Sequence, residues 1–325
     1  MPKTLYIIGN GFDRHHELDS SYDSFALFLD TRHSEIYELL VKYFPLPDVG
    51  FINNYYTSDK YNLPYNLWAN FERDLATLDI ETIIEDHSYL AENSGSDDFR
   101  AGDWYSCESE IHKIVETLTT KLVEAFREFI LAINFPDEVK IRNKILALEK
   151  NSIYLSFNYT NTLERYYSIS PNNIHYIHGK ASNPDEEIYL GHGVNPEEFE
   201  EEEEDVPEGL DDDQLEKGKY HHSYNEVKKA AINYFKRSHK PTEEIIKQST
   251  FFDNIKDVNR VIILGHSLSE VDLPYFRKIV QSLSFYMIPY KISYYSDEES
   301  QSHLNTMLSL GLNERQIDII KINAI

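Results

Sequence analysis

The chain has 325 residues, of which 41% are hydrophobic, and its formal net charge is −25. This length suits one large α/β domain or two smaller ones, and the hydrophobic share is sufficient for a substantial buried core. Phosphate backbones repel so acidic a surface, and the longest basic runs are pairs such as Lys228-Lys229, so generic nucleic-acid binding is not expected.

The first strand signal comes near the start of the chain. An apolar run at Leu5–Ile8 is followed directly by Gly9-Asn10-Gly11-Phe12-Asp13. A buried strand that stops at a Gly-x-Gly turn is a common start of an open α/β sheet, and glycine lets backbone N–H groups approach a phosphate. The third glycine of the dinucleotide motif would fall at position 14, which is Arg14. A nucleotide-type ligand and a tight turn without a ligand are both open at this point.

Six segments have the pattern of strands in a buried sheet, and most are followed by a helical stretch. These strands are predicted at Thr4–Ile8, Ile153–Phe157, Ile174–Ile177, Ile188–Leu190, Arg260–Leu264 and Lys291–Tyr295, with a seventh candidate at Ile317–Ile322. Short apolar runs that alternate with helices are typical of a parallel sheet. We therefore predict an α/β fold with a Rossmann-like, doubly wound and mainly parallel sheet.

Two long helical stretches interrupt the strands. We predict a single domain over 1–325 with helical insertions at about 32–150 and 195–256. The second insertion contains an acidic loop at 197–216, which carries 13 acidic residues and no Lys or Arg and is expected to be solvated. Helices are predicted at Ser24–Leu29, Leu67–Leu78, Glu110–Ile133, Tyr220–Lys236, Glu243–Lys256 and Leu273–Leu283.

Half of the 12 glycines fall at or just past the ends of predicted strands. They are Gly9, Gly11, Gly179, Gly191, Gly193 and Gly265. Ligands of open α/β folds bind at the carboxyl edge of the sheet. This concentration of glycines favours a nucleotide-type ligand at that edge over a tight turn alone.

Two polar residues follow predicted strands at the same edge. Asn158 comes after Ile153–Phe157, where its amide can bind ribose hydroxyls, and capping of the next helix is the alternative role. His178 precedes a glycine and is the histidine expected to face the edge, which supports a base role. His175 lies three residues away and faces the other side of the strand, so the two histidines do not form a metal site and no metal is predicted.

A late strand runs into Gly265-His266-Ser267 and a polar loop. Ser267 and the loop N–H groups are candidates to hold phosphate or ribose oxygens, and Asp272 belongs to the same site or caps the following helix. The run is not a nucleophile elbow, because position 269 is Ser rather than Gly. The predicted binding residues of the edge are Gly9, Asn10, Gly11, Phe12, Asp13, Gly265, His266, Ser267 and Asp272.

The single cysteine, Cys107, excludes an intramolecular disulfide framework and fits a reducing cytosol. The first residues do not form a signal-peptide pattern, and no stretch approaches the ~20 apolar residues that span a bilayer. We therefore expect a cytoplasmic protein that has no contact with membranes.

Five segments of the chain together resemble the AbiH family of bacterial abortive-infection proteins. They are Ile7–Asp13, Trp68–Glu72, Phe157–Thr160, Ile177–Gly179, and Leu264–Ser269 with Asp272. The resemblance implies a role in phage defence, in which growth of the infected cell is halted or the cell is killed. The expected partners are a nucleotide small molecule and either a second copy of the chain in a homo-oligomer or a partner protein of the defence system.

The same order of motifs is similar to that of a distant sirtuin-like domain. That likeness implies that the first glycine loop holds the pyrophosphate of NAD and that Asn158 contacts the nicotinamide ribose. It also implies that His178 acts as the base and that the loop Gly265–Ser267 completes the site. The zinc module of sirtuins needs four cysteines, and only Cys107 is present, so protein deacylation is not expected.

These features favour a defence effector that binds and hydrolyses NAD, a NAD glycohydrolase, with Asn158 and His178 as its catalytic pair. Asp13 or Glu72 would supply negative charge, NAD would be the substrate, and no metal is predicted. The first alternative is a metal-dependent nuclease or phosphohydrolase in which Asp13, Glu72, Asp272 and His178 surround Mg²⁺. The second alternative is a non-catalytic module that senses a nucleotide.

Overall fold

The computed structural model describes residues 3–56, 66–87, 102–199, 212–283 and 287–324. Its centre is a six-stranded sheet in which every pair of neighbouring strands is parallel. The strands are β1 (Lys3–Ile8), β2 (Ile153–Ser156), β3 (Ile174–Tyr176), β4 (Val258–Leu264), β5 (Tyr290–Tyr294) and β6 (Ile317–Lys321). Their order across the sheet is β3-β2-β1-β4-β5-β6, flanked by helices. The predicted α/β, Rossmann-like doubly wound fold is confirmed, and the seventh candidate strand is observed as β6.

Helices occupy most of the chain between the strands. Within the described ranges they are α1 (Asn10–His15), α2 (Tyr22–Arg32), α3 (Ser34–Tyr43), α4 (Val49–Tyr56), α5 (Phe71–Asp74), α6 (Ile80–His87), α7 (Gly102–Glu116), α8 (Leu122–Ala132), α9 (Thr162–Tyr167), α10 (Asp212–Arg237), α11 (Thr242–Gln248), α12 (Phe251–Asn254), α13 (Leu273–Leu283) and α14 (Asp297–Ser309). A π-helical turn, Thr117–Lys121, joins α7 to α8. None of these helices combines the length and the apolar character that a membrane crossing requires.

The central strands are apolar on both faces because helices cover both sides of the parallel sheet. Along β1, Leu5 and Ile7 enter one buried cluster, which also contains residues of α13. Tyr6 and Ile8 point to the opposite face and enter a second cluster. This alternation follows from the two-residue period of a strand. It explains why the run in β1 has no polar residue between Leu5 and Ile8.

Three predicted elements differ from the structure. Ile188–Leu190 is not a strand. Its apolar side chains are buried in a loop, where Tyr189 N donates to His178 O at 3.1 Å, and Gly191 and Gly193 therefore do not follow a strand. Leu67–Leu78 forms a turn at 67–70, the short helix α5 and a 3₁₀ turn at Leu75–Thr77, and the Trp68 ring of the first turn stacks on Phe71.

The third difference is the predicted helix Glu243–Lys256, which is divided into α11 and α12. The Ser249 hydroxyl accepts a hydrogen bond from Phe251 N at 3.2 Å. A serine side chain that bonds the backbone in this way competes with the helical pattern. The remaining predicted helices all have counterparts, and α13 has the predicted bounds Leu273–Leu283.

The chain divides into two compact units. The first consists of Met1–Phe25, Phe126–Leu190 and Lys240–Ile325 and contains all six strands. The second consists of Ala26–Ala125 and Gly191–His239. The single domain over 1–325 and the insertions at about 32–150 and 195–256 stay predictions. Most of the acidic loop 197–216 lies outside the described residues.

The second unit has an aromatic core of its own. Trp68 is fully buried and stacks on Phe71, with ring centroids 5.1 Å apart, and its Nε1 donates to Pro47 O at 2.9 Å. The Tyr234 hydroxyl of α10 donates to Leu75 O at 3.0 Å. These bonds satisfy the polar atoms of large buried rings, as close packing of Trp and Tyr requires.

Candidate functional site

The order of the strands reverses between β1 and β4, so the loops that follow these two strands lie beside each other at the carboxyl edge. Ligands of open α/β sheets bind at such a reversal. The loop after β1 holds the predicted residues Gly9–Asp13, and the loop after β4 holds Gly265–Ser267. Both predicted binding loops are therefore neighbours at the expected place.

The two loops are packed directly against each other. Gly9 N donates to Leu264 O at 3.0 Å, Gly11 N donates to Gly265 O at 2.7 Å, and Phe12 N donates to Gly9 O at 2.9 Å. Gly265 has a φ of +61°, and a Cβ on it would lie 2.1 Å from Phe12 N. The glycines thus permit a close approach of two backbones, and these three N–H groups donate within the protein. Phosphate binding by this loop stays a prediction.

Two other residues of the first loop have structural contacts. The Asn10 amide donates to Ser20 O at 2.8 Å and accepts from the Ser20 hydroxyl at 2.6 Å. The Phe12 ring is fully buried against the rings of His16 and Tyr167, at centroid distances of 4.6 and 5.7 Å. The contacts of Asn10 and Phe12 fix the path of the chain from the end of β1 to Asp13.

Asp13 is a buried carboxylate on α1. The Thr160 hydroxyl donates to its Oδ2 at 2.6 Å and also lies 3.0 Å from the hydroxyl of Thr162. Its Oδ1 has no hydrogen-bond partner among the described residues. Burial raises the pKa of Asp13 to about 6, against the lowering effect of Thr160, Thr162 and Asn158. The carboxyl group therefore changes its charge close to neutral pH.

Asn158 follows β2 and is 6% exposed. Its backbone N–H donates to the Ser156 hydroxyl at 3.2 Å, but neither atom of its side-chain amide has a hydrogen-bond partner among the described residues. The N-cap of α9 is Asn161, so Asn158 does not take the alternative capping role. An unpaired buried amide costs about 1–3 kcal/mol, so a ligand or an ordered water that completes its hydrogen bonds would stabilise the protein.

A second polar cluster is centred on Asp272 at the start of α13. His178 Nε2 lies 3.6 Å from Asp272 Oδ1, and His266 Nε2 lies 3.7 Å from Asp272 Oδ2. Lys240 Nζ lies 3.7 Å from Asp272 Oδ1. All four side chains are buried. The structure therefore brings together three residues that the sequence predicted for the site, from two separate segments of the chain.

Lys240 was not among the predicted residues of this cluster. It lies in the short segment before α11, between His239 and Pro241, where no motif or periodicity distinguishes it. The requirement that a buried carboxylate has a cationic partner is visible only once Asp272 is known to be buried.

The pKa values of the groups in this cluster are strongly shifted. Burial raises the pKa of Asp272, but Lys240 and the two histidines outweigh burial and hold it below its usual value. Burial, with Lys240 adding to it, lowers the pKa of His178 well below its usual value. Burial also lowers the pKa of His266 to about 4. Near neutral pH the cluster thus contains an ionised Asp272–Lys240 pair and two neutral imidazoles.

The tautomer of His266 follows from its hydrogen bond. Leu268 N donates to His266 Nδ1 at 2.9 Å, so Nδ1 is the acceptor nitrogen. A neutral imidazole carries its proton on the other nitrogen, and Nε2–H is then directed toward Asp272. Neither Nε2 of His266 nor Nε2 of His178 makes a hydrogen bond of normal length to the described residues.

Asn158 and His178, the predicted catalytic pair, lie in different clusters. Among the described residues no hydrogen bond or ring contact joins the two side chains. The neighbours of Asn158 do contact the His178 ring, Phe157 at 5.2 Å and Tyr159 at 6.1 Å between centroids. The pair thus lies at the ends of two neighbouring strands, β2 and β3, with the amide beside Asp13 and the imidazole beside Asp272.

The described residues contain no group of three or more His, Cys, Asp or Glu side chains that could hold one metal ion. Within the first unit, Asp13, Asp272 and His178, three members of the ligand set of the nuclease alternative, thus do not form such a group. Ser267 is exposed in the loop after β4. Cys107 is buried, and burial raises its pKa, which does not favour a nucleophilic thiolate.

Comparison with known protein families identifies a match over most of the chain. The model of the family described as "Bacteriophage abortive infection AbiH" matches residues 5–294, from β1 to the end of β5. The matched span includes both polar clusters. Neither the curated proteins nor the solved structures gave a match to the chain.

Proposed function

Because the chain belongs to the AbiH family of bacteriophage abortive-infection proteins, we propose that it is a cytoplasmic defence effector that binds and hydrolyses NAD at the carboxyl edge of its sheet. In this reaction water attacks C1′ of the nicotinamide ribose and the C–N bond to nicotinamide breaks. The products are nicotinamide and ADP-ribose, and the attacking water loses one proton to a base. Loss of NAD would stop the growth of the infected cell.

The observation that carries this proposal is the Asn158 amide. It is buried at the end of β2, and its Nδ2 and Oδ1 make no hydrogen bond of normal geometry to the described residues, although the amide lies close enough to Asp13 to lower the pKa of that carboxyl. An amide offers both a donor and an acceptor, the combination that suits the hydroxyl groups of a ribose. Binding a ribose would remove the free-energy cost of leaving the amide unpaired.

His178 is the general base of the proposal. Burial keeps its imidazole neutral, which is the form that accepts a proton from water. Asp272, 3.6 Å away, would stabilise the imidazolium that results. Asn158 and His178 lie in different clusters, at the ends of the neighbouring strands β2 and β3. The substrate would therefore have to reach both clusters, and NAD is long enough to lie along the edge.

Asp13 is the group closest to the reacting ribose in this arrangement. Its pKa of about 6 leaves it largely ionised at pH 7. A carboxylate held in a buried site would stabilise the positive charge that develops on the ribose as nicotinamide leaves. The exposed hydroxyl of Ser267 is a donor for the phosphates, since the N–H groups of Gly9, Gly11 and Phe12 are occupied within the protein.

The test is release of nicotinamide from NAD by the purified intact chain. We expect Asn158→Ala and His178→Gln to lower the rate by about a hundredfold or more, the usual effect of losing a positioned acid–base or binding group. His112→Ala and Asn254→Ala alter exposed residues outside both clusters and should retain activity. Circular dichroism checks that every variant is folded.

Three results would overturn the proposal. An active His178→Gln variant would remove the base assignment. Cleavage of RNA or DNA in the presence of Mg²⁺, with NAD untouched, would select the nuclease or phosphohydrolase alternative. Tight binding of NAD without turnover would select a nucleotide-sensing module, which acts through a second copy of the chain or through a partner protein of the defence system.

A further inference from the structure

A pocket of about 210 Å³ opens beside the Asp13 cluster, within the unit that contains the sheet. One wall is apolar and comes from the end of α8 and the residues after it. The other wall is polar and comes from the loop between β2 and α9 and from α9 itself. The lining residues that matter here are Leu131, Ile133 and Phe135 on the apolar wall, and Thr160, Asn161 and Arg165 on the polar wall.

Thr160 connects this pocket to the candidate site. Its hydroxyl donates to Asp13 Oδ2 at 2.6 Å, and the same residue lines the pocket. Asn161 occupies the N-cap of α9 but makes no capping hydrogen bond with its side chain. The polar wall therefore has the Asn161 amide next to the Thr160 hydroxyl, whose proton is donated to Asp13 and whose oxygen can accept a hydrogen bond.

Arg165 places a positive charge at the pocket. Its guanidinium lies 4.5 Å from the centroid of the Phe135 ring, and no carboxylate of the described residues pairs with it. The chain as a whole carries a net charge of −25, so an anionic ligand is repelled unless a local cation offsets that field. A stacked arginine is well suited to bind a phosphate through two parallel N–H groups.

The walls of the pocket are held in place by hydrogen bonds. Arg127 donates to Ala181 O at 3.0 Å, and Ala181 N donates to Tyr159 O at 3.0 Å. The Tyr166 hydroxyl donates to Pro136 O at 2.6 Å, which ties α9 to the apolar wall. Walls that are fixed before a ligand arrives lose little conformational entropy on binding.

We infer that this pocket binds a nucleoside monophosphate unit, with its heteroaromatic ring against Ile133 and Phe135, its ribose hydroxyls at Thr160 and Asn161, and its phosphate on Arg165. The volume of about 210 Å³ is below the ~300–1,000 Å³ of pockets that enclose a complete drug-sized ligand, so it suits one nucleotide unit with its phosphate at the mouth. The inference rests on the proposed function, because NAD consists of two such units.

The experiment is isothermal titration of the intact chain with adenosine monophosphate, nicotinamide mononucleotide and ribose 5-phosphate. We expect at least one nucleotide to bind, and ribose 5-phosphate to bind about tenfold more weakly or less because it lacks the apolar ring. Arg165→Ala should weaken nucleotide binding by about tenfold to a hundredfold. Arg142→Ala, which alters an exposed arginine that does not line the pocket, should have no effect.

A second pair of variants tests the pocket by filling it. Leu131 is 58% exposed and lines the pocket, whereas the neighbouring Ala132 is exposed and does not. Because both positions are at the surface, tryptophan should be tolerated at each. Leu131→Trp should abolish nucleotide binding, and Ala132→Trp should leave it unchanged.

The inference is overturned if neither nucleotide binds, if ribose 5-phosphate binds as tightly as the nucleotides, or if Arg142→Ala weakens binding as much as Arg165→Ala. Nicotinamide release from NAD by the same variants separates the two proposals. Turnover that is unaffected by Leu131→Trp and Arg165→Ala would overturn the pocket and keep the function. Nucleotide binding that depends on Arg165 without NAD turnover would keep the pocket and overturn the function.

Discussion

Lys240 Nζ lies 3.7 Å from Asp272 Oδ1, and both side chains are buried. Removing two charges from water costs several kcal/mol for each ion, so neither charge would be stable here without the other. The pair also sets the electrostatics of the two neighbouring histidines, because Lys240 lowers the pKa of His178 and Asp272 raises it. The Lys240–Asp272 pair is therefore the central electrostatic feature of the Asp272 cluster.

Lys240→Met should destabilise the protein by about 3–5 kcal/mol, because it leaves Asp272 as an unpaired buried charge. The double variant Lys240→Met/Asp272→Asn should lose less than the sum of the two single variants. Chemical denaturation measures these free energies of unfolding. Lys291→Met is the matched control, since the Lys291–Asp318 pair is exposed and such pairs contribute about 0–1 kcal/mol. Equal losses in Lys291→Met and Lys240→Met would contradict this account.

The buried neutral histidines should make the protein sensitive to acid. The pKa of His266 is lowered from 6.5 to about 4, so below pH 6.5 the unfolded chain takes up a proton that the folded chain does not. The free energy of unfolding is therefore unaffected by protonation of His266 above pH 6.5. As the pH falls from 6.5 toward 4, protonation of His266 in the unfolded chain lowers that free energy by roughly 3 kcal/mol.

Denaturation midpoints between pH 7 and pH 4.5 check this prediction. His266→Gln should flatten the dependence of stability on pH, and His112→Gln, at an exposed position, should not. Identical pH dependence in wild type and His266→Gln would show that the burial of His266 has no effect on its pKa.

Asp13 should affect the pH dependence of stability in the opposite direction to His266. Its folded-state pKa is raised from 3.8 to about 6, so the folded chain retains a proton that the unfolded chain has already lost. The contribution of Asp13 to the free energy of unfolding is complete below pH 3.8. It decreases by roughly 2–3 kcal/mol as the pH rises through 6.

Asp13→Asn cannot ionise, so its stability relative to wild type should improve by that amount between pH 4 and pH 7. Denaturation at both pH values measures the difference, and Asp185→Asn serves as the control at an exposed position. A difference between Asp13→Asn and wild type that is the same at both pH values would contradict the raised pKa.

The packing of the loops after β1 and β4 gives a further prediction. Gly265→Ala places a Cβ 2.1 Å from Phe12 N, whereas Gly311 has a similarly positive φ of +94° but no atom within 4 Å of a Cβ. Gly311→Ala should therefore show only the backbone strain, about 1 kcal/mol. Gly265→Ala should lower the free energy of unfolding by several kcal/mol more than Gly311→Ala does, as measured by thermal or chemical denaturation. Similar losses of stability in the two variants would mean that the loops after β1 and β4 can move apart to accommodate the added Cβ.

The sheet could be predicted from the sequence because its strands are continuous apolar runs next to glycine. β1 and β4 were predicted to within two residues of their bounds. Ile188–Leu190 misled the prediction, because a three-residue apolar run is buried as readily in a loop as in a strand. The pairing of neighbouring strands, and not local apolar character, decides which runs become strands.

The clusters were only partly predictable. The sequence predicted His178, His266 and Asp272 at one edge of the sheet, and in the structure the two histidines lie 3.6 and 3.7 Å from Asp272. Asn158 is separated from His178 although both of its neighbours, Phe157 and Tyr159, contact the His178 ring. These residues lie beyond the end of β2, where no strand pattern predicts the direction of a side chain. Lys240 had no sequence signal, because its partner is distant in the chain.

The measurement that tests the central claim most directly is total NAD in cells that express the intact chain, compared with cells that express Asn158→Ala or His178→Ala. Hydrolysis at the proposed site predicts that NAD collapses with the intact chain only, and that both variants leave NAD and growth unchanged while accumulating to the same level. Growth arrest by the intact chain with NAD unchanged would contradict NAD hydrolysis as the function of this protein.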